Sequence, residues 1–183
     1  MMTRASGFCL FDTAIGPCGL AWSESAQLVG VQLPQSDEDG TRECMRRRFP
    51  GVPQARPVPA VQSVATRIRA LLDGERDPLL DVALDMSGVP DFHRRVYEIT
   101  RAIPPGRTLT YGEVAARLGM PGAARAVGQA LGHNPFAPVV PCHRVLAAGT
   151  GPGGFSAEGG VATKLRMLQI ERAQLGGEPG LFD

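Results

Sequence analysis

The spacing of apolar residues changes character along this chain of 183 residues. Up to residue 33 the apolar runs are short and interrupted. Phe8-Cys9-Leu10-Phe11, Gly19-Leu20-Ala21-Trp22 and Leu28-Val29-Gly30-Val31-Gln32-Leu33 are separated by Ile15-Gly16-Pro17 and Ser23-Glu24-Ser25, which predicts three short strands of an antiparallel sheet. Asp37 to Phe49 opens with acids and closes on Arg46-Arg47-Arg48, the order that complements a helix dipole. A solvated helix end is the favoured reading of that arginine triplet over a phosphate contact. After a proline-rich connector from Pro50 to Pro59, apolar residues recur at 61, 64, 65, 68, 71 and 72. That 3.6-residue period predicts a helix ended by Asp73-Gly74.

Asp85 to Pro90 reads as a linker, dividing the chain into residues 1–85 and 86–183. Beyond it the pattern becomes helical. Asp91 is expected to cap a helix carrying Phe92, Val96, Ile99 and Ala102, which stops before Pro104-Pro105-Gly106. Thr110 caps Tyr111 to Leu118, with Glu113 completing a capping box. Gly119-Met120-Pro121-Gly122 breaks the chain before a helix from Ala123 to Leu131 that ends at Gly132. Two short helices about a glycine-bearing turn match a helix-turn-helix, a pattern that many packed helix corners share. A last helix is expected over Val161 to Ala173, with apolar residues at 161, 162, 165, 168 and 170. The fold class is therefore an α/β N-terminal domain followed by a mainly α C-terminal domain.

Composition sets bounds and decides little. With 43% hydrophobic and 20% charged residues, the chain resembles an ordinary soluble protein large enough for one domain or two small ones. Net charge is +1, but residues 90–150 hold seven Arg against three acids. This modestly basic stretch is far weaker than a histone-like block and assigns no partner by itself. Cys9, Cys18, Cys44 and Cys142 show no C-x-x-C spacing, so neither a zinc ribbon nor a redox pair is expected. The first thirty residues lack a basic start before an apolar block, and no run of 18 apolar residues occurs. The expectation is a cytoplasmic, reduced protein without a membrane partner, a setting in which a free thiol survives.

Pro141-Cys142-His143-Arg144-Val145 carries the most chemical information, placing a thiol, an imidazole and a guanidinium side by side. A free cysteine of pKa about 8.5 is only slightly ionised at neutral pH, so a base or cationic field separates a nucleophile from an inert core thiol. Neighbours on a strand point to opposite faces, so Cys142 and His143 share a pocket only across a turn; otherwise His143 acts through a water. Glu171 on the last helix is either a surface charge or the carboxylate that orients His143. Arg125 projects alone from Ala123-Ala124-Arg125-Ala126-Val127-Gly128, as a surface charge or a DNA contact from a recognition helix whose small residues permit close approach. Tyr111 faces either core or ligand. Asn134, before Pro135, is a helix stop or a side chain bonding backbone across the turn before Cys142. The loop from Gly151 to Gly160, containing Phe155-Ser156, is either flexible or a pocket wall; it lacks a strand–G-x-G-x-x-G–helix pattern.

Together these segments resemble the O6-alkylguanine-DNA alkyltransferases, or methylated-DNA–protein-cysteine methyltransferases. The resemblance rests on Phe92 to Ile99, Thr110-Tyr111-Gly112-Glu113-Val114-Ala115, Ala123 to Gly128, His133-Asn134-Pro135, Val139 to Val145 and Lys164 to Glu171, in family order across about eighty residues. It implies a ribonuclease H-like N-terminal domain and a winged-helix-like C-terminal domain that binds double-stranded DNA through the minor groove. Arg125 would fill the base stack, with Ala126 and Gly128 on the same DNA-facing helix. Tyr111 would crowd the target phosphate, help to flip the alkylated guanine and bond its N3. The carbonyls of Cys142 and Val145 would read the exocyclic amine, Ser156 beside Phe155 would approach O6, and Asn134 would stabilise the hinge before the site. Glu171 would orient His143, which takes the Cys142 proton through water, and the thiolate would accept the alkyl group irreversibly from O6-alkylguanine, with O4-methylthymine a further substrate. No cofactor is implied. The expected species is a monomer, with cooperative binding along DNA left open.

Two departures bear on these implications. Ala157-Glu158 stands between Ser156 and Gly159-Gly160, where many relatives pass directly from Ser to Gly-Gly, which bears on the size of alkyl group accepted. Cys9 and Cys18 do not occupy the zinc pattern of some members, so no metal is expected. The alternative reading is a non-catalytic sensor that flips alkylguanine, a class lacking a cysteine at the position of Cys142. A cysteine hydrolase lacks an evident oxyanion-hole motif here, and a transcriptional regulator is supported only by the helix-turn-helix.

Overall fold

The computed structural model describes residues 4–148 and 160–173. Three strands, β1 (Ala5–Thr13), β2 (Gly16–Ser23) and β3 (Leu28–Gln32), form an antiparallel sheet in chain order, as the interrupted apolar pattern predicts. The register sets Cys9 opposite Leu20 and Leu20 opposite Val31. Central strand β2 is buried from Cys18 to Ser23, so both of its faces need cover. Helix α2 (Pro59–Leu72) supplies it on one side, where Val61, Ala65, Ile68, Leu71 and Leu72 join Cys18, Leu20 and Trp22. On the other side α1 (Glu38–Arg48) packs Met45 against Phe8 and Ala21. Gly19 makes that approach possible, because a Cβ there would lie 2.7 Å from the Met45 side chain.

Asp37 caps α1 by accepting the Gly40 N–H at 2.8 Å. At the other end Arg46 and Arg47 are exposed, but Arg48 is not the solvated terminus expected for the triplet. It turns inward onto backbone carbonyls. Three acceptors next to a helix end outcompete water for one fork of donors.

After α2 the chain returns along β3, with Asp85 donating its N–H to the Leu28 carbonyl at 2.8 Å. Arg67 pairs with Asp77 and Asp81 to pin this return, and Arg101 binds the carbonyls of Leu79 and Val82 from the next helix. That helix, α3 (Asp91–Arg101), begins one residue earlier than expected. Pro90 occupies the cap position, and Asp91 is the first helical residue with no side-chain cap bond. Its charge still lies in the first turn, where the dipole favours it. The buried face is Val96, Tyr97 and Thr100, whereas Ala102 is exposed. Tyr97 fits the core because its hydroxyl donates to the Ala130 carbonyl at 2.7 Å.

Helices α4 (Tyr111–Arg117) and α5 (Ala124–Gly132) pack together around Val114, Ala115, Val127 and Ala130. A pairing not expected from the sequence precedes them. Leu109–Thr110 (β4) lies parallel to Val145–Leu146 (β5), which draws the start of α4 beside the cysteine segment. The last helix, α6 (Val161–Ile170), presents Lys164, Met167 and Leu168 inward and leaves Val161 exposed, a different phase from the expected apolar positions. The fold is mixed α/β. Among the described residues no helix is long and apolar enough to cross a membrane.

Thr110 fixes the start of α4 by accepting the Glu113 N–H at 3.0 Å. Thr110→Ala should lower the free energy of unfolding by about 1 kcal/mol, while Thr110→Ser should hold most of it. Urea midpoints at unchanged slope check this, and equal losses in both variants would contradict the cap.

Candidate active site

Pro141 leads into a single 3-10 turn, Cys142–Arg144, before β5. The turn resolves the difficulty of adjacency, because Cys142 and His143 are not obliged to opposite faces as they would be on a strand. It also lets two successive side chains reach one acceptor. His143 Nε2 lies 2.8 Å from Glu171 Oε1. Arg144 closes a fork on the same carboxylate, with Nε at 2.9 Å from Oε2 and Nη2 at 2.7 Å from Oε1, while Nη1 donates to the Ile103 carbonyl at 2.7 Å. Glu171 itself follows α6 as its C-terminal cap residue.

The protonation pattern follows. Burial alone would raise the Glu171 carboxyl, but the adjoining His143 ring and the Arg144 fork outweigh it and hold the group down to about 2. Glu171 is therefore an ionised acceptor, and Nε2 of His143 must carry the proton that meets it. Burial in turn holds the imidazole below its ordinary value and neutral, despite the carboxylate that favours its charged form. Nδ1 is then a bare lone pair. It is buried and has no hydrogen-bond partner among the described residues. A buried imidazole nitrogen left bare, on the residue that follows the cysteine, is able to take a proton.

Cys142 is buried, and burial raises its thiol. A hydrogen bond from the Asn134 side chain, the charge of Lys164 and the N–H groups of Cys142 and His143 oppose that rise without cancelling it. At neutral pH the resting group is a thiol that needs a base. Lys164 is 0% exposed and donates to the Val145 carbonyl at 2.7 Å. Its Nζ sits 5.7 Å from the centroid of the Tyr111 ring. Burial lowers this ammonium to about 8, an effect that the nearby Cys142 opposes. Thiol, ammonium and phenol thus share one enclosure, and Tyr111 is itself raised, first by burial and then by Cys142.

Around this centre Asn134 donates through Nδ2 to the Val140 carbonyl at 2.8 Å and accepts the Phe136 N–H at 2.9 Å, so it is more than a helix stop. Gly128 on α5 faces the Tyr111 ring, where a Cβ would come within 3.8 Å. Ala126 is half-buried. Arg125, in the first turn of α5, is exposed with no ion pair or hydrogen bond to another described residue. Val145 is buried in β5. Phe155, Ser156 and the Ala157-Glu158 departure lie outside the described residues. No group of three potential metal ligands occurs among the described residues.

The structure brings Cys142, His143, Glu171, Tyr111, Asn134 and Val145 together and sets Arg125 apart on the surface. Sequence reasoning takes the Arg144 guanidinium as a cationic field for the thiol, whereas the structure turns it onto Glu171 and the Ile103 carbonyl. It reads Arg48 as part of a solvated helix end and gives no role to Lys164 or Tyr97. Lys164 had a signal: it lies seven residues before Glu171, two helical turns along the same face. Arg48 had none, because its acceptors are remote in sequence.

Known proteins bear on what such a site does. A family model described as 6-O-methylguanine DNA methyltransferase, DNA binding domain, matches residues 91–173. A methylated-DNA–protein-cysteine methyltransferase of Mycobacterium bovis is 38% identical over 172 residues, covering 94% of this chain and 96% of the relative. A DNA base-flipping protein of Thermus thermophilus is 36% identical, covering 86% of this chain and 96% of its own length. The crystal structure of Mycobacterium tuberculosis OGT in complex with DNA superposes with a TM-score of 0.72 at 34% identity, covering 93% of this chain and 96% of that one.

The buried ion cluster makes its own forecast. Because the Glu171 carboxyl is depressed in the folded state, its stabilising effect is complete above the ordinary glutamate range and is lost as pH falls toward about 2. Glu171→Gln should destabilise the protein by about 3 kcal/mol at neutral pH, since Arg144 keeps its buried charge without a counter-ion. The gap between variant and wild type should narrow on acidification below the glutamate range. Urea unfolding across that range tests it, and a gap independent of pH would refute the assignment.

Proposed function

The chain belongs to the methylated-DNA–protein-cysteine methyltransferase family, and on that premise we propose a residue-level account of how it repairs DNA by transferring an alkyl group to Cys142. The observation that carries it is the bare Nδ1 of His143, with Nε2 fixed on an ionised Glu171 beside a resting thiol. His143 takes the Cys142 proton through a bridging water. The thiolate attacks the alkyl carbon of O6-alkylguanine in line, the S–C bond forms as the C–O bond breaks, and guanine leaves with the electron pair. Tyr111 donates a proton toward guanine N3, and the neighbouring Lys164 offsets negative charge first on sulfur and then on the phenol. The thioether product is not reversed by ordinary thiols, so each molecule acts once and needs no cofactor.

Recognition is assigned to the helix pair, read as a helix-turn-helix within a winged-helix-like domain of residues 86–183. Residues 1–85 form a ribonuclease H-like domain. Stacked guanine hides its O6 substituent, so the base must leave the duplex. Arg125, exposed at the start of α5, fills the vacated stack from the minor groove, with Ala126 and Gly128 permitting close approach. Val145 and Cys142 offer carbonyls to the exocyclic amine, and the approach to O6 is assigned to Ser156 beside Phe155, which lie outside the described residues. The expected species is a monomer on double-stranded DNA, in the cytoplasm. The base-flipping relative keeps a non-catalytic sensor in view, but a thiol paired with a poised base favours transfer.

Intact-mass measurement after mixing with O6-methylguanine duplex should find one added methyl group, located on Cys142. Cys142→Ser should gain none yet still bind the lesion; loss of both would make the thiol structural, and an unmodified wild type would leave the sensor reading. Arg125→Ala should slow transfer from duplex DNA about tenfold or more while leaving Cys142 equally reactive toward iodoacetamide. Stopped-time transfer assays check this, and an unchanged duplex rate would overturn the role given to Arg125.

A further inference from the structure

Arg48 ends α1, on residues 1–85, yet its guanidinium reaches the turn that follows α5. Nη1 donates to the Val31 carbonyl at 2.8 Å and to Gln32 Oε1 at 3.0 Å, and Nη2 donates to the Pro135 carbonyl at 3.3 Å. The same Pro135 carbonyl accepts the Val31 N–H at 2.8 Å. Two donors from the N-terminal half therefore grip one carbonyl. Its neighbour Asn134 is held at both ends of its amide by Val140 and Phe136, and its side chain favours the thiolate form of Cys142. Arg48, Asn134, Pro135 and Cys142 line one cavity of about 370 Å³ between β3 and the turn.

We propose that Arg48 is a positioning residue for the Cys142 thiol, fixing the Asn134-Pro135 turn so that the Asn134 amide stays in the cavity that it shares with the sulfur. The inference rests on Cys142 being the nucleophile. A planar fork serves three acceptors at once, and an apolar side chain serves none. Without it the Val31 N–H alone holds Pro135, the turn gains freedom, and the Asn134 amide is no longer fixed beside the thiolate. The remaining groups around Cys142 come from other elements and stay in place: Lys164 from α6, Tyr111 from α4, Tyr97 from α3, and His143 beside it. The effect therefore travels through the turn rather than through a redistribution of charge.

The test is the pH dependence of Cys142 alkylation by iodoacetamide in the full chain without DNA, read on the Cys142 peptide. Transfer from methylated duplex is measured beside it. In Arg48→Met the midpoint should move to higher pH, and both reactions should slow about tenfold at neutral pH. Arg48→Lys, which keeps a charge and three donors, should recover most of the loss. Arg47→Met, altering an exposed neighbour, should match wild type. An unmoved midpoint in Arg48→Met would overturn the inference, even with a lower thermal midpoint, because a merely structural arginine changes stability without changing thiol acidity. A moved midpoint in a chain whose wild type gains no methyl from DNA would support the positioning role and refute the proposed reaction.

Discussion

Glu171 is 6% exposed, and a carboxylate so enclosed keeps its charge only if the protein replaces the water it has lost. Two consecutive residues do so: the imidazole of His143 and the guanidinium of Arg144 converge on one pair of oxygens. That convergence dictates the local backbone. A strand through Cys142–Arg144 would throw His143 and Arg144 to opposite sides, so the segment must turn. The turn must also be anchored, which the parallel pair of β4 and β5 achieves just beyond it. The end of α6 is held by the same carboxylate, so the helix that carries Lys164 is placed by the interaction that orders the base.

The chemistry inherits this arrangement. An ionised, acceptor-only Glu171 leaves one tautomer open to His143, and that tautomer leaves Nδ1 bare, as the proposed proton transfer requires. The thiol is kept neutral by burial while a lysine, an asparagine and two N–H groups stand ready for the thiolate. A site built this way does not rest as a reactive anion. In the proposed reaction its ionisation is left to the moment of proton removal. For a protein that spends its nucleophile in one event, such restraint matters more than turnover.

What the sequence makes legible follows from the range of the interactions. The sheet, the 3.6-residue face of α2, the Thr110 cap and the break at Gly119–Gly122 are set by near neighbours, and each is readable from spacing. Cys142 and His143 announce themselves by adjacency, and Glu171 by its place in a helix that must face them. The phase of α6 misleads because Lys164 occupies an inward position that hydrophobicity assigns to a neighbour. Its charge is tolerated only because the Val145 carbonyl, the Tyr111 ring and the thiol are there to meet it, and these come from elsewhere in the chain. Arg48 reads as one of three equivalent surface arginines until β3 and Pro135 are brought to its side. Asp91 looks like a cap because it precedes a periodic run, but Pro90 is already suited to the extended cap position.

Those long-range contacts explain why a reactive segment needs the sheet at all. Val139, three residues before Cys142, is buried in the cluster formed by β1–β3 and α2, and Met167, between Lys164 and Glu171 on α6, joins it there. Both chain segments that carry the chemistry are thus seated by one apolar residue each in the core of the N-terminal half. Burial of a side chain of this size stabilises by about 2 kcal/mol, and the seat is specific because the facing positions are already close-packed. An imidazole must meet a carboxylate within a few tenths of an ångström for its tautomer to be fixed. Two segments twenty-eight residues apart hold that tolerance only if each is registered against a common rigid surface. The sheet with its helices provides that surface, so residues that never approach Cys142 set the geometry of the imidazole–carboxylate pair beside it.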